Sequence, residues 1–174
     1  MGGFDPYSSS KGCAELITSS FRNSFFTNSN LEKPDISLAS VRAGNVIGGG
    51  DWAENRIVPD IIKGIIHKKT IKIRNPDAVR PWQYVLEPLR GYLELAEKLW
   101  KDKSEYAESW NFGPDDDDIK PVSWIVKEIT NMWNSNVEVD YNTSNLKHET
   151  NFLKLDCSKA KSKLKWAPKI KLEQ

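Results

Sequence analysis

Tyr7 and Lys11 stand four residues apart in the stretch DPYSSSKGCAEL at positions 5–16. On a helix that spacing puts both side chains on one face, within reach of each other. A phenol ordinarily titrates at about 10, and an adjacent ammonium favours its ionised form. Drawing it towards neutrality takes roughly 4 kcal/mol of local electrostatics, which a close lysine assisted by a cationic cofactor ring can supply. The result is a general acid/base suited to interconverting an alcohol and a ketone. Because Y-x-x-x-K also arises by chance on solvated helices, spacing alone favours an ordinary surface pair.

The pair needs a helix to hold it, and Asp5-Pro6 opens one with a capping carboxylate followed by proline in the first turn. Ala14, Ile17, Phe21 and Phe25 recur at helical spacing, which predicts a helix from about Tyr7 to about Phe26, ended by the polar run at 27–35. ISLASVR (36–42) predicts a strand, and the Gly- and Asn-rich AGNVIGGGDWAEN (43–55) a loop. Pro59 opens a second helix, PDIIKGIIHKK, and TIKIR (70–74) reads as a strand followed by a turn at NPDAVRP. The stretch 82–100 starts extended and becomes an amphipathic helix with Leu89, Leu93, Ala96 and Trp100 on one face. SWNFG (109–113) predicts a strand, PDDDDIKP a solvated loop, 122–133 a helix, 137–141 a strand and 156–166 a short helix. Helices alternating with strands imply an α/β fold with parallel pairing. No internal repeat or low-complexity linker divides the chain.

Length and composition exclude several classes. With 174 residues, 39% of them hydrophobic and including seven Trp and six Phe, the chain can bury a core as one domain or a large piece of one. Trp52, Trp82, Trp110, Trp124 and Trp133 are expected in that core. A net charge of +1 removes the electrostatic case for a nucleic-acid or anionic-membrane partner. The basic run KAKSKLKWAPKIK reads as a solvated helix and tail. No apolar run approaches the roughly 20 residues that span a bilayer. Cys13 and Cys157 have no CxxC partner, so a reduced, cytoplasmic setting is expected. Asp115 to Asp118 lack the glycine and closing glutamate of an EF-hand loop, so no metal is expected there.

Context sharpens the reading of the pair. Pro6, Tyr7, Ser10, Lys11 and Glu15 match P-Y-x-x-S-K-x-x-x-E, and the segment resembles the active-site helix of the extended short-chain dehydrogenase/reductase family, the nucleotide-sugar epimerases and dehydratases. VRAGNVIGGGDW (41–52) is similar to the family's R-x-x-N-V-x-G-P block. RPWQYVLEPLRGYLELAEKLW (80–100) resembles its R-x-x-x-x-V-x-D block and the helix after it, and WNFGP and LDCSKAKSKLKWAPKIKLEQ resemble its closing landmarks. GGGDWAENRIVPDII, IRNPDAVRPWQYVLEPL and WNFGPDD are most similar to the members that dehydrate CDP-glucose. The resemblance runs in order through essentially the whole chain.

It implies the end of a Rossmann-like parallel sheet together with a smaller α/β substrate-binding part, residues 1–174 making up one partial NAD-dependent epimerase/dehydratase domain. It implies that Tyr7 takes the proton of a sugar 4-hydroxyl while hydride moves to NAD. Lys11 would hold the nicotinamide ribose and ease the tyrosine's ionisation. Water is then lost across C5 and C6, and hydride returns to C6 to give a 4-keto-6-deoxy sugar nucleotide. Asn45 would hydrogen-bond the diphosphate or sugar, unless it only stabilises its own turn. Arg80 would pair with a diphosphate oxygen, unless it is a surface arginine. Arg56 and Arg74 would line the nucleotide pocket, whereas Arg42 is expected to pair structurally. His148-Glu149 is similar to a pair in the dehydratases, and His67 is expected to be exposed. The implied partner is a sugar nucleotide, with CDP-glucose first, and the intact parent is expected to be a homodimer or homotetramer.

The chain departs from the family in having no G-x-x-G-x-x-G turn, and Gly48-Gly49-Gly50 lacks that spacing. The expectation is therefore that the NAD-binding half is absent, with Met1 an internal methionine of a longer parent and the isolated chain inactive. The segment carrying the family's Ser/Thr and elimination groups would be absent with it. A 4-epimerase of the same fold, and a non-catalytic remnant with residual sugar-nucleotide binding, are the alternatives.

Overall fold

A computed structural model describes residues 5–26, 36–141 and 151–174; the run 27–35 and His148-Glu149 lie outside the described residues. The first helix, α1, spans Pro6–Phe21 and continues through a π-helical turn at Arg22–Phe26, so it ends where periodicity placed it. Its start is a reciprocal cap. The Asp5 carboxylate accepts the Ser8 amide at 2.8 Å, and the Ser8 hydroxyl accepts the Asp5 amide at 3.3 Å.

The chain divides into two compact units, each with its own core. The first is drawn from Met1–Ala43, Pro88–Phe112 and Cys157–Ala167. In it β1 (Ser40–Ala43) pairs in parallel with β5 (Ser109–Phe112), Ser40 lying opposite Ser109 and Arg42 opposite Asn111. Trp110, Phe112 and Trp166 are fully buried with Leu95, Tyr106 and Ala160. Phe112 meets Trp166 edge-on at 5.0 Å and Tyr92 at 5.5 Å, the offset geometry aromatic rings prefer.

The helix α3 (Leu86–Asp102) supplies Leu95, Tyr92 and Leu99 to this core. The expected face is the wrong one, since Leu93 and Trp100 are 73% and 85% exposed. This helix carries two apolar stripes, and the one holding Gly91 packs inward because only glycine fits there. A Cβ on Gly91 would lie 2.3 Å from Phe112 Cδ1. Gly91→Ala sets the gain in helix propensity, up to about 1 kcal/mol, against overpacking a buried ring with nowhere to move, roughly 3 kcal/mol. A net loss of about 2 kcal/mol is expected, read from the urea midpoint.

The second unit is drawn from Gly44–Glu87, Gly113–Asp156 and Pro168–Gln174. It holds β2 (Asn45–Ile47), α2 (Ile57–His67), β3 (Ile71–Lys72), β4 (Val79–Tyr84), β6 (Ile119–Pro121), α4 (Val122–Met132) and β7 (Val139–Asp140). β2 and β4 run parallel, β6 adds antiparallel to β4, and β3 pairs in parallel with β7. Ile61 and Ile65 of α2 meet Ile125 and Val126 of α4 over Ile71, Ile73 and Trp82.

Both units are thus α/β, with one antiparallel pair that alternation did not predict. The glycine-rich stretch expected as a loop contains β2. A Cβ on Gly44 would stand 2.4 Å from the Pro81 carbonyl oxygen, and one on Gly48 2.7 Å from Val85 Cγ1. These glycines let β2 approach β4 closely. The acidic stretch expected as a solvated loop holds a 3₁₀ turn at Asp116–Asp118 and then β6. Its carboxylates hold the end of the chain: Asp115 pairs with Lys171 at 3.0 Å, and buried Asp118 accepts the Leu172 amide at 3.3 Å. Buried Glu87 accepts the amides of Lys169 and Ile170 at 3.0 and 2.9 Å. Trp82 and Trp110 are buried and Trp124 is half-buried, but Trp52 and Trp133 are exposed, contrary to expectation. Among the described residues no helix is long and apolar enough to cross a membrane.

Candidate functional site

Tyr7 lies in the first turn of α1 and is 72% exposed. Lys11, one turn on, is also exposed, and its Nζ stands over the Tyr7 ring, 5.5 Å from the centroid. An exposed ammonium over a phenol face contributes about 0.5–1 kcal/mol. The two groups share the face that their spacing predicts, open to an incoming ligand.

Glu15 continues that face one turn further, and there α1 meets the strands. Arg42 closes on the carboxylate side-on, Nε at 2.8 Å from Oε1 and Nη2 at 2.6 Å from Oε2. The hydroxyls of Ser40 and Ser109 lie 2.9 and 3.2 Å from Oε2 and 2.8 Å from each other. Arg42 Nη1 donates to Asn111 Oδ1 at 3.0 Å. Burial by itself would raise the Glu15 carboxyl, but hydrogen bonds from Arg42, Ser40 and Ser109 and the guanidinium charge outweigh it and hold the group below the usual carboxylate range. Arg42 is therefore the structural partner its position suggested. Sequence reading gave Glu15 no role beyond a motif match. The available signal was the alternation S-x-R at 40–42 and S-x-N at 109–111, which puts four polar side chains on one face of the β1–β5 ladder.

Asn45, Arg56, Arg74 and Arg80 belong to the second unit. Asn45 opens β2, half-buried and opposite Trp82, so it is a strand residue and not a turn residue. Arg80 is two residues before Trp82 on β4, and strand alternation therefore puts Asn45, Trp82 and Arg80 on one face of the β2–β4–β6 sheet. Arg80 is buried, which disposes of the surface alternative, and its Nη1 donates to the Val79 carbonyl at 2.9 Å. Arg56 is the exposed residue just before α2 and Arg74 is exposed beyond β3, so neither shares the Asn45–Arg80 strand pair. His67 ends α2 exposed.

No family model matches the chain. It is 52% identical over 169 residues to the CDP-glucose 4,6-dehydratase of Salmonella typhimurium, an alignment covering 97% of this chain and 47% of that protein. Solved structures agree on the fold. The dTDP-glucose 4,6-dehydratase of Bacillus anthracis, in complex with NAD, superposes with a TM-score of 0.76 at 19% identity, over 100% of this chain and 50% of that one. The UDP-glucuronic acid 4-epimerase of Bacillus cereus, in complex with UDP-glucuronic acid and NAD, gives 0.78 at 19% identity over 97% and 49%. The chain thus spans about half the length of the relatives it matches. The chain is thus similar in sequence to a sugar-nucleotide dehydratase, and its α/β fold is that of the extended short-chain dehydrogenase/reductases, as solved for sugar-nucleotide dehydratases and epimerases.

Proposed function

We propose that the protein to which this chain contributes is a CDP-glucose 4,6-dehydratase, with residues 1–174 as one partial domain of it working in the cytoplasm. The 52% identity over nearly the whole chain carries this reading, and it favours dehydration over epimerisation. Tyr7 is the acid/base that takes the sugar 4-hydroxyl proton, and Lys11 binds beside it. What supports a fit to NAD is that Tyr7 and Lys11 are both exposed on one helix face, the Lys11 Nζ 5.5 Å from the Tyr7 ring centroid, so that a hydroxyl and an ammonium are both open to ribose hydroxyls. NAD, when bound, supplies the acceptor and the donor of hydride, so the net conversion is the loss of one water with no external oxidant. Asn45 and Arg80, neighbours on β2 and β4, serve the sugar diphosphate, the guanidinium suiting paired phosphate oxygens. Arg56 and Arg74, both exposed, are read as contacts for the nucleotide's outer part.

Nothing in this sequence forms a pyrophosphate-cradling glycine turn, and β1 keeps one unpaired edge among the described residues. The 174-residue chain by itself is therefore expected to give no 4-keto product from CDP-glucose and NAD. Joined to the portion of the Salmonella enzyme outside the matched half, it is expected to convert CDP-glucose with loss of one water, followed by mass spectrometry. Turnover by the chain alone would overturn the first expectation. Equal turnover of UDP-glucose, or a C4 epimer as the product, would overturn the assignment.

A further inference from the structure

We propose that Glu15 is a positioning residue: clamped by Arg42, Ser40 and Ser109, it fixes the rotation of α1 and thereby where Tyr7 and Lys11 stand. The inference rests on the reading of Tyr7 and Lys11 as the reacting pair, but its geometry is independent of catalysis. Among the described residues α1 buries none of its side chains, so apolar packing does not set its orientation. The contacts that do are polar and directional. Near its end Arg22 Nε donates to the Leu38 carbonyl at 2.8 Å. On the stripe that holds Tyr7 and Lys11, Glu15 is gripped by side chains from two strands at once.

Positions 7, 11 and 15 follow one another at four-residue intervals, so each drifts only about 40° around the helix from the last. A rotation imposed at Glu15 is therefore passed to Lys11 and Tyr7, the latter about 12 Å further along the axis. The β1–β5 register makes the grip rigid. Ser40 faces Ser109 and Arg42 faces Asn111, so the guanidinium is held by Asn111 while it holds Glu15. A side-on arginine–carboxylate pair fixes an angle as well as a distance, which a point charge would not.

Cys13 supplies the probe. It is exposed and lies about 200° around α1 from Glu15, whereas Cys157 is buried. A nitroxide on Cys13 of the 174-residue chain is expected to give a restricted spectrum and to relax a fixed set of amides in the first unit. Glu15→Ala is expected to mobilise the label, to spread its relaxation over other amides, and to speed amide exchange at residues 9–19 by roughly tenfold to a hundredfold. Protection at Leu95 and Phe112, in the core of the same unit, should stay unchanged, which shows that this unit still folds. Arg42→Ala should do the same, and the double variant no more than either single one.

Acid provides a second arm. Among the described residues, the charged group facing Glu15 is Arg42 on β1, while β5 offers the uncharged Ser109 and Asn111. A carboxyl held low stabilises fully above its unfolded value of about 4.5 and loses that contribution as pH falls through its folded value. The wild-type label should therefore loosen on acidification below that range, and the Glu15→Ala label should not change. A Glu15→Ala label as restricted as the wild type, or loosening matched at Leu95 and Phe112, would overturn the clamp. Either result would leave the dehydratase reading to its own test by turnover.

Discussion

Tyr7→Phe is expected to lower 4-keto sugar formation by roughly 10²–10⁴-fold in the enzyme completed with the unmatched portion of its Salmonella relative, the range that a general acid/base supplies. The substitution removes one oxygen and little else. The ring of Tyr7 is largely solvent-exposed and packs into no core, so folding does not depend on the hydroxyl. The face that Lys11 covers is retained, because an ammonium over a ring needs the π-system and not the phenol oxygen. Asn45 and Arg80, the proposed diphosphate ligands, belong to the other unit and keep their strands. The loss should therefore fall on kcat, with KM changed only a few-fold, as when an interaction made in the transition state is removed. A drop smaller than tenfold, or one confined to KM, would take the acid/base role away from Tyr7.

The placement of that pair on one helix face was legible because it is local: a four-residue spacing, one helix, one cap. Local periodicity also gave α1, α2 and α4 nearly to their ends. What the sequence hid was long-range. β2 escaped because Gly44 and Gly48 read as loop formers, although each is small so that β2 can approach Pro81 of β4 and Val85 just after it, more than 35 residues away in sequence. α3 offered two apolar stripes, and nothing within the helix says that the one with a glycine is buried; that decision belongs to Phe112. Arg80 read as a diphosphate ligand or else a surface cation beside proline, and its burial follows only from the long-range pairing of β4. Glu15 became more than a motif letter only when parallel pairing of β1 with β5 brought Ser40, Arg42, Ser109 and Asn111 onto one face.

Trp110→Ala is the substitution expected to cost most in stability, about 3–5 kcal/mol for truncating a fully buried large aromatic. Set against a total of about 5–15 kcal/mol for a typical domain, that is enough to unfold a marginal one. The indole is fully buried, stacks on Tyr106 with centroids 6.0 Å apart and planes 17° from parallel, and lies under the Lys159 ammonium at 5.4 Å. Its Nε1 donates to the Tyr106 carbonyl at 3.0 Å, so alanine leaves a cavity and removes one of the two hydrogen bonds that this carbonyl accepts, the other coming from the Glu108 amide at 2.8 Å. Trp110 and Phe112 occupy one face of β5, and Ser109 and Asn111 the other. The core side chain thus backs the strand whose polar face grips Glu15. Trp110→Ala should lower the urea midpoint and strip amide protection from Leu95 and Phe112 at concentrations where Ile61 and Ile125, in the other core, remain protected. Nitroxide on Cys13 should loosen in the same range, because a ladder that has lost its packing cannot hold the clamp. A midpoint shift worth less than about 1 kcal/mol would mean that the first unit closes over the missing indole and that β5 does not owe its place to that core.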